Sequence, residues 1–164
     1  MQTLAFMKSL PLVLFLIVNF AGLYWGGKST GPGVTSEWYA ELPKAPWTPP
    51  GWVFGAAWTV VMLGFSWFMA GIWRGTEGWE RTAWMAAFVV SWGLNVLWNP
   101  MFFTWHQLGA AMAVLLTLTL CIVGMAWKSH GVSADGQWHW GVLPYVVWLG
   151  LACSLNLYSW AKVL

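Results

Sequence analysis

Five stretches of this chain, residues 4–25, 52–73, 83–105, 108–127 and 140–160, are almost continuously apolar and hold no Asp, Glu or Arg. Each has about 20 residues, the length an α-helix needs to cross a hydrocarbon core of roughly 30 Å. The one charged side chain, Lys8, stands near the start of the first stretch, where a long ammonium side chain snorkels to the interface. Of the 164 residues 59% are hydrophobic and 7% charged; a soluble domain carries roughly a quarter charged residues. The pattern therefore predicts an all-α integral membrane protein, one bundle of five transmembrane helices spanning 1–164. The net charge of +2, without any Lys/Arg-rich run, excludes nucleic acid as a partner. Cys121 and Cys153 fall in apolar stretches without metal or haem-attachment spacing and read as small buried hydrophobes.

Seventeen tryptophans need a place. Trp25, Trp52, Trp73, Trp84, Trp105, Trp127, Trp140 and Trp160 mark ends of the stretches, as interfacial indoles do. Trp38, Trp47, Trp79 and Trp138 fall in connections. Trp58, Trp67, Trp92, Trp98 and Trp148 lie well inside, so helix packing or a ligand must account for them. In the third stretch, Phe88, Trp92, Asn95, Asn99 and Phe102 step by four, three, four and three and share one helical face. An amide in hydrocarbon costs free energy unless it finds a partner, which turns this face into the bundle. Pro100 cannot donate to the carbonyl of Val96 and is expected to bend the helix near its end.

Five crossings put the long first connection, the end of the third helix and the end of the fifth on one side. Trp58 then lies about 10 Å, and Asn95, Trp98 and Asn99 roughly 9 to 15 Å, below that surface at 1.5 Å per residue. Trp148, Ala152 and Asn156 stack at i, i+4 and i+8 on the fifth helix. Aromatic and amide groups from three helices thus share one half of the membrane, the composition of a pocket for a flat, largely apolar ligand with a few polar edges. The first connection, 26–51, reads as a lid over it: Gly and Pro argue against a long helix, and Trp38, Tyr39 and Trp47 give it apolar groups to bury. No stretch other than the first carries an ionisable acid or base for a proton relay. His106, His130 and His139 fall in or beside connections, and no nucleophile–base pair or metal-ligand spacing is present.

Three blocks carry a family likeness: EWYAELPKAPWTPPGWVFGAAWT, NVLWNPMFF and PYVVWLGLACSLN. With the five crossings, they make the chain resemble the TspO/MBR family of tryptophan-rich sensory and translocator (peripheral benzodiazepine receptor) proteins. That resemblance implies a five-helix bundle, usually a homodimer. Its ligands would be protoporphyrin IX and haem, isoquinoline and benzodiazepine compounds, and in some members sterols, with no cofactor required. Carried over by motif, the pocket would hold Trp58, Asn95, Trp98, Trp148, Ala152 and Leu155, joined by Asn99 from the amide face; Trp38, Tyr39, Trp47 and Pro49 would belong to the lid. His106 stands where many members have a basic residue. The sterol pattern at the C-terminus fits only loosely, as Leu155, Tyr158 and Lys162, and is weak in kind.

Three functions are compatible with these residues. The first, favoured here, is a tetrapyrrole-binding sensory protein whose lid reports occupancy. The second is a passive translocator of porphyrin or lipid. The third is light-dependent porphyrin degradation with Trp58 and Trp148 as redox partners. Small-residue pairs Gly109-x-x-x-Ala113 and Ser66-x-x-x-Ala70 are candidate dimer contacts. Lys8, Arg74, Arg81 and Lys128 on one side face Lys28, Lys44 and Lys162 on the other, a faint positive-inside bias that opens the pocket away from the cytoplasm. A bacterial cell membrane is the expected location.

Overall fold

The computed structural model describes residues 2–132 and 137–164, with side chains from Ser9 onward; the snorkelling expected of Lys8 lies outside the described side chains. Helix α1 spans Gln2–Val34, the short α2 Glu37–Glu41, α3 Gly51–Gly75, α4 Gly78–Phe103, α5 Leu108–Ser129 and α6 Leu143–Val163, the last entered through a 3-10 turn at Gln137–Val142. Five helices, all but α2, are long and apolar enough to cross a membrane. They close into a ring in the order α1, α3, α6, α5, α4, with α4 returning to α1. The sequence neighbours α3 and α4 have few close backbone approaches, since α1 follows between them in the ring, and meet chiefly through the rings of Phe65 and Phe68 against Phe88 and Trp84.

Buried side chains that join the helices explain the ring. Asn19 of α1 donates to Ser66 Oγ of α3 at 2.8 Å, so each polar group satisfies the other away from water. Phe65 of α3 stacks edge-on against Tyr145 of α6 and lies beside Phe88 of α4. Ile122, Leu118 and Leu115 present one fully covered face of α5 to the same core.

Three expectations from sequence require correction. Helix α1 does not stop at Trp25 but runs on through Gly26–Gly33 to Val34, so the lid is the shorter segment 35–50. Gly22 and Gly26 of α1 serve packing: a Cβ at Gly22 would lie 2.6 Å from Trp92 Nε1, and one at Gly26 2.7 Å from Asn99 Nδ2. Small residues at i and i+4 bring two helices close in this way. Trp84, expected at the interface, is buried against Phe68, whereas Trp67, expected inside, is 40% exposed on the outer face. Ser66 and Ala70 are wholly buried within the chain, and Gly109 packs under Trp160, so Ser66-x-x-x-Ala70 offers no dimer face.

Candidate functional site

A cavity of about 720 Å³ opens among all five long helices beneath the lid. Such a volume lies within the roughly 300–1,000 Å³ typical of small-molecule sites. One wall is α3, where Phe54 and Trp58 stand one turn apart and both meet Trp148 of α6 edge-on, with ring centroids 5.4 and 6.1 Å away. The opposite wall is α4, with Asn95, Trp98, Asn99 and Phe103. Leu23, Gly27, Thr30 and Val34 of α1, stepping by four, three and four, complete the circuit with Leu115 of α5. Tyr39, Lys44, Thr48 and Pro49 close the top.

The polar edges of this cavity are held by one another. Thr30 Oγ1 donates to Asn99 Oδ1 at 2.6 Å, Asn99 Nδ2 to the Asn95 carbonyl at 3.0 Å, and Asn95 Nδ2 to the Tyr145 hydroxyl at 2.6 Å. This run ties α1, α4 and α6 together and fixes where amides face the cavity. Trp98 lies parallel to Phe102, and its Nε1 donates to Asn156 Oδ1 at 3.2 Å, while Asn156 Nδ2 donates to the Leu108 carbonyl at 3.0 Å. Asn156 is 1% exposed and spans α4, α5 and α6. Pro100 leaves α4 helical for one further turn, and the amides of Thr104 and Trp105 both return to the Pro100 carbonyl.

The lid is pinned at several points. The Ser36 hydroxyl caps α2 by accepting from the Tyr39 amide at 3.2 Å. Ser159 Oγ of α6 donates to the Pro43 carbonyl at 2.8 Å, and Trp47 Nε1 donates to Ser154 Oγ at 3.1 Å. Burial pushes the Tyr39 phenol above its usual range, so it faces the cavity as a neutral hydroxyl.

Of the residues singled out from sequence, Tyr39, Pro49, Trp58, Asn95, Trp98, Asn99, Trp148 and Ala152 line this cavity. Leu155 lines a smaller adjoining chamber. Trp38 and Trp47 line neither: Trp38 stacks on the His106 ring at 3.9 Å and edge-on to Phe102, and Trp47 is half exposed beside Tyr158. His106, at φ 55°, turns the chain from α4 into α5 and serves as a platform for α2 rather than lining the cavity. His130 and His139 stack at the opposite end, beside Trp138. No group of three or more His, Cys, Asp or Glu able to hold a metal occurs among the described residues. The α1 wall, Phe54, Phe103, Lys44 and Tyr145 were not anticipated. The 4-3-4 spacing of Leu23, Gly27, Thr30 and Val34 would have shown that wall had helix 1 been carried past Trp25.

The sequence profile of the TspO/MBR family matches residues 13–161. The chain is 31% identical over 156 residues to the translocator protein of Bos taurus, covering 92% of this chain and 88% of that protein. It is 32% identical over 126 residues to protein CrtK of Rhodobacter capsulatus, covering 75% and 76%. To the tryptophan-rich sensory protein of Cereibacter sphaeroides it is 32% identical over 122 residues, covering 73% of each.

Proposed function

The chain belongs to the TspO/MBR family, and on that premise we propose that it is a tetrapyrrole-binding regulatory protein that takes protoporphyrin IX or haem into the cavity beneath the lid. One observation carries this reading: a cavity of about 720 Å³ where the rings of Phe54, Trp58, Trp98, Phe103 and Trp148 stand among glycine and aliphatic surface, with amide and hydroxyl groups at its edges. A flat aromatic macrocycle gains from ring contact on both faces, and Trp58, Trp148, Trp98 and Phe54 come from three helices around the space it would fill. The same walls suit isoquinoline and benzodiazepine compounds. The lid, fastened by side-chain hydrogen bonds rather than by continuous secondary structure, is the element through which occupancy reaches a partner. The protein would act in a bacterial cell membrane as a homodimer.

Titrating detergent-purified protein with protoporphyrin IX in the dark tests this. Trp58→Ala and Asn95→Leu are each expected to raise Kd by about tenfold, as loss of one ring contact or one polar edge implies. An unchanged Kd in both variants would place the porphyrin elsewhere and return the aromatic cluster to helix packing. A second reading, light-driven porphyrin breakdown, draws on the edge contact between Trp58 and Trp148. It predicts bleaching under illumination that Trp58→Ala abolishes at saturating porphyrin.

A further inference from the structure

Gly55, Thr59, Met62 and Ser66 of α3 step by four, three and four and form one stripe of the helix. At its inner end the stripe is closed by α1. Ser66 is wholly buried and accepts from Asn19, and Met62 is buried beside Asn19 and Leu23. Toward the lid the stripe changes character. Thr59 and Gly55 are exposed, and the Thr59 hydroxyl donates back to the Gly55 carbonyl at 2.9 Å instead of across to α1. On α1 the same change runs from buried Asn19 through half-buried Leu23 to exposed Gly27. A Cβ at Gly27, Gly51 or Gly55 would have nothing within 4 Å. The two helices therefore meet in mid-membrane and part toward the lid.

Gly27, Gly51 and Gly55 all line the main cavity, so the gap leads into it. Neighbouring seams of the ring are closed by side chains. Between α1 and α4, a Cβ at Gly22, Gly26 or Gly33 would lie 2.6, 2.7 or 2.5 Å from Trp92, Asn99 or Phe103. Between α3 and α6, Phe54 and Trp58 bear on Trp148. Between α1 and α3, glycine stands on both rims and supplies no side chain to cross the gap. The opening runs from Leu23 to Val34 on one helix and from Met62 to Gly51 on the other, about 16 Å each at 1.5 Å per residue. On the outer surface beside it, Tyr24 and Trp52 are exposed, and Lys28 lies over the rings of Tyr24 and Trp25. Such aromatic and basic side chains mark the border between hydrocarbon and headgroups, where flat amphipathic molecules dissolved in a bilayer collect.

We propose that this slot between α1 and α3 is a lateral portal, through which a flat apolar ligand passes edge-on from the bilayer into the cavity while the lid stays fastened. The proposal rests on the porphyrin reading above and adds where the ligand comes from. The lid keeps its ties to α6, from Ser159 to the Pro43 carbonyl and from Trp47 to Ser154, throughout entry. Occupancy then follows the amount of ligand dissolved in the lipid.

The test places wild type, the double variant Gly27→Leu with Gly55→Leu, and Ser159→Ala in lipid nanodiscs. Quenching of tryptophan fluorescence by protoporphyrin IX is timed on mixing, and its recovery on dilution into porphyrin-free vesicles. The double variant should slow association and dissociation together by about tenfold, the scale of pushing crowded side chains aside, because a barrier on a route acts in both directions. Each single change should give part of that slowing; both positions have room for the new side chain, and leucine favours helix over glycine. Ser159→Ala, which releases one tie of the lid, should not speed association. Wild-type rates in the double variant would overturn the portal and leave the porphyrin site standing. Faster association in Ser159→Ala would overturn it too, by putting entry beneath the lid. So would faster dissociation in the double variant, since the added side chains would then be taking ligand volume instead of blocking a route. No saturable quenching of wild type would overturn the porphyrin reading and the portal with it.

Discussion

Gly64→Val is expected to yield no folded protein: after detergent extraction the variant should elute as aggregate, with no cooperative thermal transition. Gly64 of α3 and Gly141 of the 3-10 turn meet backbone to backbone. A Cβ built on Gly64 falls 2.4 Å from the Gly141 carbonyl oxygen, and one built on Gly141 falls 2.4 Å from the Gly64 carbonyl oxygen. Neither neighbour is a flexible side-chain tip, so relief requires the two segments to separate. Gly71, seven residues on and so on the same helical face, admits the Trp138 ring, where a Cβ would overlap the indole. Separation at Gly64 would therefore unseat Trp138 from Phe68 as well. Overpacking in a core costs about 1–3 kcal/mol when side chains absorb it, and more where backbone must move. Gly124→Ala in α5 is the control: it has open space around it, and a helix-interior Gly→Ala change gains up to about 1 kcal/mol. A normal Gly64→Val thermal midpoint would mean that α3 and the entry to α6 do not pack as described.

The five crossings were legible because apolar length is a strong signal that needs no knowledge of neighbours. So was the inward face of α4, since Asn95 and Asn99 cost too much facing lipid and helical spacing fixes which residues accompany them. What escaped reading depended on partners. Gly26–Gly33 looked like a loop because glycine and proline disfavour isolated helix. Packed against α4, Gly26 and Gly33 allow close approach to Asn99 and Phe103, and Pro32 sits in the last turn, where Thr35 Oγ1 donates to its carbonyl. Trp38 and Trp47 belong to the lid as expected but do not line the cavity, for a related reason. A connection has no period to set which side chains face inward, and Trp38 was drawn aside by His106 of the α4–α5 turn. Lys44 gave no signal in an apolar pocket until the end of α2 supplied the carbonyls that hold it there.

Ala152→Phe should abolish porphyrin binding without destabilising the protein. Ala152 lines both the main cavity and the side chamber, on α6 one turn beyond Trp148. A phenyl ring there enters open space at the junction of the two chambers, where it would meet the body of a ligand. Its presence removes the volume a macrocycle needs, and Kd for protoporphyrin IX is expected to rise by about a hundredfold or more. The free protein gains apolar contact with Phe54 and Trp98, which line both chambers too, so its thermal midpoint should hold or rise. The pair of readouts separates causes. Lost binding with a lowered midpoint would indicate an overpacked wall, and retained binding would move the ligand out of the cavity. Lost binding at an unchanged or higher midpoint is the signature of a filled site. It would also make this variant an empty-handed control in cells, folded and lidded but unable to take up ligand, against which a signalling role for the lid can be measured.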